Sequence, residues 1–429
     1  MTASSDPRLE KEKHIRYWQR CRDTYLPTPY TSGDSTRLMW ACFIFSALDL
    51  LSVPLEARER ARIRTWVLSL QHPDGGFCGS PNHAYQGQDA HRGEPNIAAT
   101  FFALILLAMA PEEGAERSAF AGVRRGRLLR WLRKLQREDG SFGQNLWEGR
   151  PVGGSDTRHS YLASSIRWML RGDVSSPDGD AAWVEDVDVD SLVRHIRLGQ
   201  TYDGGVAELD SHESHAGYAY CGVAALYMLD RPLVSSSESD KDGSHSAIAQ
   251  GIRDREGLLR FLAGRQFTYL AKEEEEDDAD AEDLVEARIG SLSLEESCRH
   301  VGFNGRWNKK TDTCYCWWVA GTLAMLGTPF PVNIAPSRRY LLEITQHRIG
   351  GFGKVAGAPP DIYHAYLGLA ALATMDGGDE DLKEFDAGLC CSRDTTRKIE
   401  MARDGLVEGI RGKKGGGESW VDDGFWSSG

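Results

Sequence analysis

The sequence contains no apolar run long enough to cross a lipid bilayer. Its longest such run, Ile97 to Ala110, spans 14 residues and includes Thr100, whereas a membrane-spanning helix needs about 20 apolar residues. The opening stretch, Met1 to Lys13, is polar and charged, without the apolar segment of a secretory signal. We therefore expect a cytoplasmic protein that is not an integral membrane protein, in which residues 97–110 form a buried core helix.

Positive charge is also in deficit. Fifty Lys and Arg residues stand against 63 Asp and Glu residues, which gives a net charge of −13. This balance argues against nucleic acid as a partner and against a general affinity for anionic membranes. The nine cysteines show no spacing typical of a disulfide framework. Reduced thiols are the simpler interpretation and agree with a cytoplasmic location.

What the sequence does contain is an internal repeat. A phrase that starts with glutamine and ends in glycine and, usually, phenylalanine follows each amphipathic run and precedes an almost wholly apolar run. The glycines fit a chain reversal that needs positive φ. The copies are Gln71–Phe77, Gln136–Phe142, Gln200–Val206 and Gln346–Phe352, with a fifth copy split between Gln266 and Gly302–Gly305.

Repeats of this kind predict stacked helical hairpins, because one hairpin cannot bury its apolar face alone. One amphipathic and one apolar helix per repeat indicate two layers, with the apolar helices inside. A solenoid that closes into a ring would satisfy every inner face. The predicted fold is therefore all-α, an α/α toroid over residues 13–380.

Several segments are predicted to lie outside the repeats. Residues 1–12 are expected to be flexible, and residues 381–429 to form a partly mobile C-terminal extension. Two polar inserts, at about 233–250 and 271–295, are expected to be solvated loops. The second contains the acidic run Glu273–Asp283, which splits the fifth repeat.

Three residues suggest a metal site. Asp312, Cys314 and His364 offer a carboxylate, a thiol and an imidazole, which suit a tetrahedral Zn²⁺ with its fourth position open. An open zinc can lower the pKa of a bound substrate group. The alternative is that Asp312 is a helix N-cap, Cys314 a small core residue and His364 an ordinary histidine. Cys316 is interpreted as a packing residue, since its side chain diverges from Cys314 on a helix.

A basic stretch beside this triad suggests an anion site. Arg306, Lys309 and Lys310 could hold a strongly anionic group near the metal, and Tyr315 adds a phenol donor. His215 starts the apolar helix after the third repeat phrase, where free N–H groups favour anions. The alternatives are a solvated basic loop and a structural histidine.

Aromatic residues cluster where the inner helices begin. Tyr161, Tyr218, Trp317, Trp318 and Tyr366 would either be ordinary core residues or line an apolar funnel for a long hydrocarbon.

These motifs together resemble one family. The segments Glu213–Cys221, Gly302–Tyr315 and Asp361–His364, with the repeat phrases, are similar to those of protein prenyltransferase β subunits, over about residues 13–373. The resemblance implies one zinc ion held by Asp312, Cys314 and His364, and an obligate α subunit. It also implies substrates that are an isoprenyl diphosphate and a protein ending in a CaaX box.

The same resemblance implies roles for further residues. His215, Arg306, Lys309 and Tyr315 would bind the diphosphate, and Arg158 would lie near the C-terminal carboxylate of the protein substrate. The residues expected along the isoprenoid are Tyr161, Tyr218, Cys221 and Trp318.

Three positions favour the type I geranylgeranyltransferase branch. Lys354 stands where farnesyltransferases carry a Mg²⁺-binding aspartate, so Mg²⁺ is not expected to be required. Met39 and Leu367 stand where farnesyltransferases close the lipid tunnel with bulky aromatics. The resemblance thus implies geranylgeranyl diphosphate as donor and CaaX proteins ending in Leu or Phe, such as Rho-family small GTPases, as acceptors.

Other functions remain open at this point. A farnesyltransferase β subunit is the nearest alternative, and Trp317-Trp318 resembles the Rab-type geranylgeranyltransferase branch. A terpene cyclase and a non-enzymatic toroidal scaffold are also consistent with the same ring of helices.

Overall fold

The computed structural model describes residues 7–172, 183–233, 246–269, 298–328, 334–375 and 379–411. Fourteen α-helices lie in this part of the chain. They are α1 (Lys11–Asp23), α2 (Arg37–Leu50), α3 (Ala57–Ser69), α4 (Ile97–Met109), α5 (Arg125–Lys134), α6 (Thr157–Arg171), α7 (Val189–Leu198), α8 (Ala216–Asp230), α9 (Ala247–Gly251), α10 (Arg255–Ala263), α11 (Thr313–Met325), α12 (Ile334–Arg339), α13 (Ile362–Thr374) and α14 (Arg393–Arg411).

Eight short strands form four antiparallel pairs between the helices. They are β1 (Phe77–Cys78) with β2 (Pro95–Asn96), β3 (Asn145–Trp147) with β4 (Arg150–Val152), β5 (Gln266–Thr268) with β6 (Val301–Phe303), and β7 (Phe385–Asp386) with β8 (Cys391–Ser392). A π-helix, Tyr340–Thr345, continues α12.

The helices form two concentric layers. The inner helices α2, α4, α6, α8, α11 and α13 each contact the next in this order, and α13 contacts α2, so the ring is closed. Inner helices are apolar on nearly every side, as in α4, where 11 of 13 residues are buried. Outer helices bury one face only; α5, for example, buries Leu128, Leu129, Trp131 and Leu132. The predicted all-α toroid is confirmed.

The repeat phrase is a tight reversal between an outer and an inner helix. Its first and last residues pair, as in the bridges Gln71–Phe77 and Gln136–Phe142. The first glycine has positive φ in each of these copies, 120° at Gly75 and 88° at Gly140. A Cβ atom on Gly140 would lie 2.1 Å from the carbonyl oxygen of Ser191 in the next outer helix, so only glycine allows this approach.

The two parts of the split fifth copy of the repeat phrase lie side by side in the structure. Strands β5 and β6 pair Gln266 with Phe303, which is the pairing that Gln71 and Phe77 make within a single phrase. The acidic run between them is therefore an insertion into one turn of the repeat.

The glutamine of each unsplit phrase clasps the start of a neighbouring outer helix. Its side-chain oxygen accepts a hydrogen bond from the backbone N–H of that helix's N-cap residue. The four bonds are Arg124 N–H to Gln71 (2.8 Å), Asp188 N–H to Gln136 (2.7 Å), Asp254 N–H to Gln200 (2.9 Å) and Glu10 N–H to Gln346 (3.0 Å). Since α1 follows Glu10, the last of these glutamine clasps joins the end of the chain's ring to its beginning.

His14 completes this closure. The imidazole is fully buried; its Nε2 lies 3.0 Å from the Gln346 side-chain oxygen, and its Nδ1 accepts the Gly351 N–H at 3.2 Å. These partners assign the proton to Nε2. Burial lowers the pKa of His14 to about 4, against opposing effects of the Gln346 bond and the Glu10 carboxylate.

The C-terminal segment closes the end of the toroid where the inner helices finish. Tyr220 donates a hydrogen bond to the Ala387 carbonyl (2.7 Å), and Tyr366 to the Cys390 carbonyl (2.6 Å). Helix α14 packs against α4 and α6. The division of the chain at residue 380 stays a prediction.

Two predicted boundaries need correction. Helix α1 starts at Lys11, inside the segment 1–12 expected to be flexible, because Leu9 is buried and Glu10 is held by Gln346. The first insert ends before residue 250, because Ser246 caps the short helix α9. Residues 234–245, 270–297 and 412–429, which hold most of both inserts and the tail, lie outside the described residues.

The buried His14 predicts a loss of stability in mild acid. The unfolded chain binds a proton on this histidine below pH 6.5, whereas the folded chain binds it only near pH 4. The free energy of unfolding should therefore fall by about 3 kcal/mol as the pH drops from 6.5 to 4, in proportion to the pKa difference. Urea unfolding at several pH values measures this slope. A His14→Gln variant, in which this site cannot titrate, should show a shallower slope; equal slopes would contradict the assignment.

Candidate metal and anion site

The candidate site lies where the inner helices begin. Five of the six inner helices carry an N-cap side chain that accepts a backbone N–H of the first turn: Asn96, Asp156, His215, Asp312 and Asp361. Asp, Asn and similar residues favour this position because they satisfy free N–H groups. His215 and Asp312 are predicted site residues, and Asp361 bonds His364. The site is therefore built around the capping positions.

The predicted metal triad comes together. One ligand atom from each of Asp312, Cys314 and His364 lies within 4.8 Å of the others. Asp312 and Cys314 lie at the start of α11, and His364 lies in the first turn of α13. Asp312 is also the N-cap of α11, with Oδ1 2.8 Å from the Cys314 backbone nitrogen. The capping and ligand interpretations of Asp312 are therefore compatible.

The chemistry of the triad fits zinc. A thiol, an imidazole and a carboxylate are the donors that Zn²⁺ takes. Burial, together with the Asp312 carboxylate, raises the pKa of the Cys314 thiol. In the described chain the cluster consists of these three donors, which would leave a tetrahedral ion one position for an exogenous ligand. Cys316 is fully buried and stays out of the cluster, as predicted from helix geometry.

Asp361 orients the histidine of this triad, a role that the sequence motif did not reveal. Its Oδ1 accepts the His364 backbone N–H at 2.9 Å, and its Oδ2 lies 2.6 Å from His364 Nδ1. A carboxylate at Nδ1 keeps the proton there, so Nε2 is left as the free lone pair. That atom faces Asp312, 3.9 Å from Oδ1. The signal that could have found it is the Asp-x-x-His spacing at a helix start.

The anion residues gather on the side of α8. His215 Nδ1 accepts the Gly217 N–H at 3.0 Å, which puts the proton on Nε2, 3.2 Å from the Tyr315 hydroxyl oxygen. The imidazole therefore donates to Tyr315, whose own O–H points onward as a donor. Burial and the Arg306 charge lower the pKa of His215 to about 4, so this histidine is neutral at pH 7. Burial raises the pKa of Tyr315 to about 12.

The predicted cations differ in their partners. Arg306 forms an ion pair with Glu213, a residue to which sequence reasoning gave no role. Lys309 and Lys354 are exposed. Lys354 is held beside the triad by its backbone, since its carbonyl accepts the Thr313 N–H at 2.9 Å.

A further group of predicted residues lies on the inner helices. They are the residues expected along the lipid and near the C-terminal carboxylate of the protein substrate. Arg158 lies over the Tyr218 ring at 5.7 Å and pairs with Asp156 at 2.8 Å. Tyr161 and Trp318 both contact Tyr220, with ring centroids 5.6 and 4.9 Å apart. Cys221 and Leu367 are buried, and Met39 is half-buried.

The two residues that stand where farnesyltransferases close the tunnel, Met39 and Leu367, lie on the adjacent inner helices α2 and α13. Phe43, on the next turn of α2 after Met39, stacks on Tyr366, which precedes Leu367 on α13, with ring centroids 4.9 Å apart. Tyr366 is one of the aromatics that the sequence predicts as core or funnel residues, whereas Phe43 was missed, because the order of inner helices in a ring is not visible in the sequence. The roles of all these residues stay predictions. Among the described helices, none is long and apolar enough to cross a membrane.

Asp361→Asn should weaken metal binding while keeping the helix cap. The amide oxygen can still accept the His364 N–H, but its NH₂ group then faces Nδ1 and favours the tautomer with the proton on Nε2. Loss of such a partner typically lowers metal affinity about 10- to 100-fold. Zinc competition with a chromogenic chelator measures the change. Asp156→Asn, at the N-cap of another inner helix, is the matched control and should bind zinc normally; equal affinities in both variants would refute the role.

Comparison with known proteins yields a consistent group. The sequence model of the prenyltransferase alpha-alpha toroid domain matches residues 9–391. The chain is 28% identical to a geranylgeranyl transferase type-1 subunit beta of Arabidopsis thaliana, over 87% of each chain. It is 24% identical to a protein farnesyltransferase subunit beta of Pyricularia oryzae, over 88% of this chain and 66% of that one.

A solved structure has the same fold. The Candida albicans protein geranylgeranyltransferase-I complexed with GGPP superposes with a TM-score of 0.72 at 24% identity, over 92% of this chain and 99% of that one.

Proposed function

The chain belongs to the prenyltransferase α/α toroid family, and we propose that it is the catalytic β subunit of a type I protein geranylgeranyltransferase. It would act with an α subunit, taking geranylgeranyl diphosphate as donor and the cysteine of CaaX proteins ending in Leu or Phe as acceptor. The observation that carries the proposal is the buried Asp312, Cys314 and His364 cluster beside an anion site. The relatives of both the geranylgeranyl and farnesyl kinds support the reaction class.

Zinc bound by Asp312, Cys314 and His364 would lower the pKa of the substrate thiol and so supply a thiolate at neutral pH. In the transfer, the sulfur–C1 bond forms and the C1–oxygen bond breaks, while the thiol proton passes to solvent. The products are a thioether and free diphosphate. No side chain of this protein becomes a covalent nucleophile.

The chain's own residues would stabilise the departing diphosphate. Arg306, Lys309 and Lys354 supply positive charge, and Tyr315 an O–H donor aligned by His215. Because His215 is neutral, it acts as a hydrogen-bond donor in this relay and adds no charge. Each charge-assisted contact is worth about 1.5–3 kcal/mol, and those that strengthen as charge develops lower the barrier.

Lys354 supports the geranylgeranyl assignment over the farnesyl one. A lysine whose backbone is bonded to Thr313, the residue after Asp312, can take the place of a divalent ion at the diphosphate. Met39 and Leu367, without aromatic rings, leave room for a fourth isoprene unit. The farnesyl alternative differs at these positions and in its need for Mg²⁺.

The proposal is tested with the chain co-expressed with a prenyltransferase α subunit. We expect one zinc ion per heterodimer and transfer of geranylgeranyl in preference to farnesyl to a CaaX peptide ending in Leu, without added Mg²⁺. Preference for farnesyl with strict Mg²⁺ dependence would favour a farnesyltransferase. Release of a hydrocarbon would indicate a cyclase, and absence of both zinc and transfer would indicate a scaffold.

Lys354→Ala should lower the rate of transfer by about 10- to 150-fold, the equivalent of one charge-assisted contact. Lys354→Asp should lower it further without a divalent ion and recover part of the loss when Mg²⁺ is added. Single-turnover rates with and without 5–10 mM Mg²⁺ (roughly the range that fills weak carboxylate sites) measure both effects. Arg150→Ala, an exposed cation on strand β4 outside the site, is the control. An unchanged rate in Lys354→Ala would exclude the lysine from the reaction.

A further inference from the structure

The loop between β6 and α11 carries two of the proposed diphosphate ligands, Arg306 and Lys309. Its backbone is anchored near its start, where Asn304 N–H bonds the Arg265 carbonyl (3.0 Å) and the Gly305 carbonyl accepts Ala216 N–H (2.8 Å). Farther along, Asn308 has a φ of 58°, a backbone conformation that residues other than glycine adopt at some cost. Asn304 Nδ2 also donates to the Lys309 carbonyl at 3.0 Å, so the loop is tied at both ends, and Trp307 and Asn308 lie between these ties.

Trp307 supplies a contact of an unusual kind. Its ring lies 4.1 Å from the guanidinium carbon of Arg265, whose other neighbour is the Phe261 ring at 4.7 Å. Arg265 has no exposed surface. Its Nε donates to the Phe261 carbonyl at 3.2 Å, while its two terminal nitrogens have no hydrogen-bond partner in the described part of the chain.

A buried cation without acceptors is costly unless its environment compensates the charge. Burial lowers the pKa of Arg265, and the negative charge of Asp203 opposes this effect. The faces of the two aromatic rings add a further attraction, which is strongest for a desolvated cation. Trp307 remains 55% exposed, so burial of its own surface is only part of what holds it in place. The stack on Arg265 thus holds Trp307, which directly follows Arg306 and precedes Lys309 by two residues.

We propose that Trp307 stacked on Arg265 is a positioning pair that holds the 305–310 loop in the conformation in which Arg306 and Lys309 bind the isoprenyl diphosphate. Neither residue needs to touch the substrate. The inference rests on the proposed function, since it assigns the loop to that ligand. Its consequence is specific: weakening the stack lowers affinity for the diphosphate and leaves the metal triad and the protein substrate unaffected.

The test uses the αβ heterodimer and geranylgeranyl diphosphate. Trp307→Ala should raise the KM for the diphosphate about tenfold, with the KM for the CaaX peptide within about twofold of the parent and zinc content unchanged. Trp307→Phe, which keeps an aromatic face, should recover most of the affinity. Trp307→Leu, which keeps apolar bulk without that face, should behave like alanine. Tyr202→Ala removes an exposed aromatic side chain elsewhere and should change nothing.

A second measurement is independent of activity. Trypsin cleaves after Arg306, Lys309 and Lys310, so the rate of nicking in this loop reports how well it is held. Trp307→Ala, Trp307→Leu and Arg265→Met should all be nicked several-fold faster than the parent, and Trp307→Phe and Tyr202→Ala at the parental rate.

The outcomes separate the two hypotheses. If the parent enzyme transfers no isoprenyl group, the proposed function fails, while the proteolysis rates still report on the stack. If transfer occurs but the diphosphate KM is unchanged in Trp307→Ala and Trp307→Leu, the positioning role is overturned. A rise in the peptide KM alone would overturn it as well, because Trp307 would then contact the protein substrate.

Discussion

The ring of helices depends on one repeated hydrogen-bonding arrangement, the glutamine clasp. In each clasp, the glutamine that follows one outer helix accepts the backbone N–H at the start of another outer helix. Three of these bonds are partly buried, and an N–H group that loses its partner away from water is costly. Because the clasp links specific helices, it fixes the order and rotation of neighbours around the ring. At Gln346 the same arrangement reaches Glu10, so the ring closes with one more copy of the repeat contact, to which the buried His14 adds its own bonds.

Fixing the outer helices fixes the inner ones, and this is what assembles the site. Every repeat phrase leads through a loop to the N-cap of an inner helix, so the caps of adjacent repeats lie side by side. Asp312 uses one carboxylate for its cap and for the metal cluster, and His215 uses one ring nitrogen for its cap and the other for Tyr315. The exposed N–H groups and helix dipoles at this end also favour an anion. The residues that cap the inner helices therefore also form the candidate site.

The sequence was sufficient for the repeat, the two layers and the three residues that cluster at the candidate metal site. It was sufficient because glycine spacing and helix periodicity are local signals, and because the motifs around Asp312 and His364 resemble those of a known family. Contacts between distant segments were not predictable in this way. Asp361 at His364 Nδ1, Glu213 at Arg306 and Trp307 on Arg265 each depend on which side chains face one another after the ring closes. The start of α1 was misjudged for the same reason, since Gln346 holds Glu10 from 336 residues away along the chain.

The electrostatics of the site follow from how its charges are held. The histidine nearest the basic loop is kept neutral by burial and by Arg306, so the positive charge of the site comes from its arginine and lysine side chains. Arg306 is paired with Glu213, and under the proposed function a diphosphate would compete with that carboxylate or share the guanidinium with it. Lys354 is exposed and is fixed only through its backbone. Under the proposed function, binding of the diphosphate would combine one cation that is already oriented with others that become ordered on the ligand. The cost of ordering the loop would be lower because Trp307 is already stacked on a buried arginine.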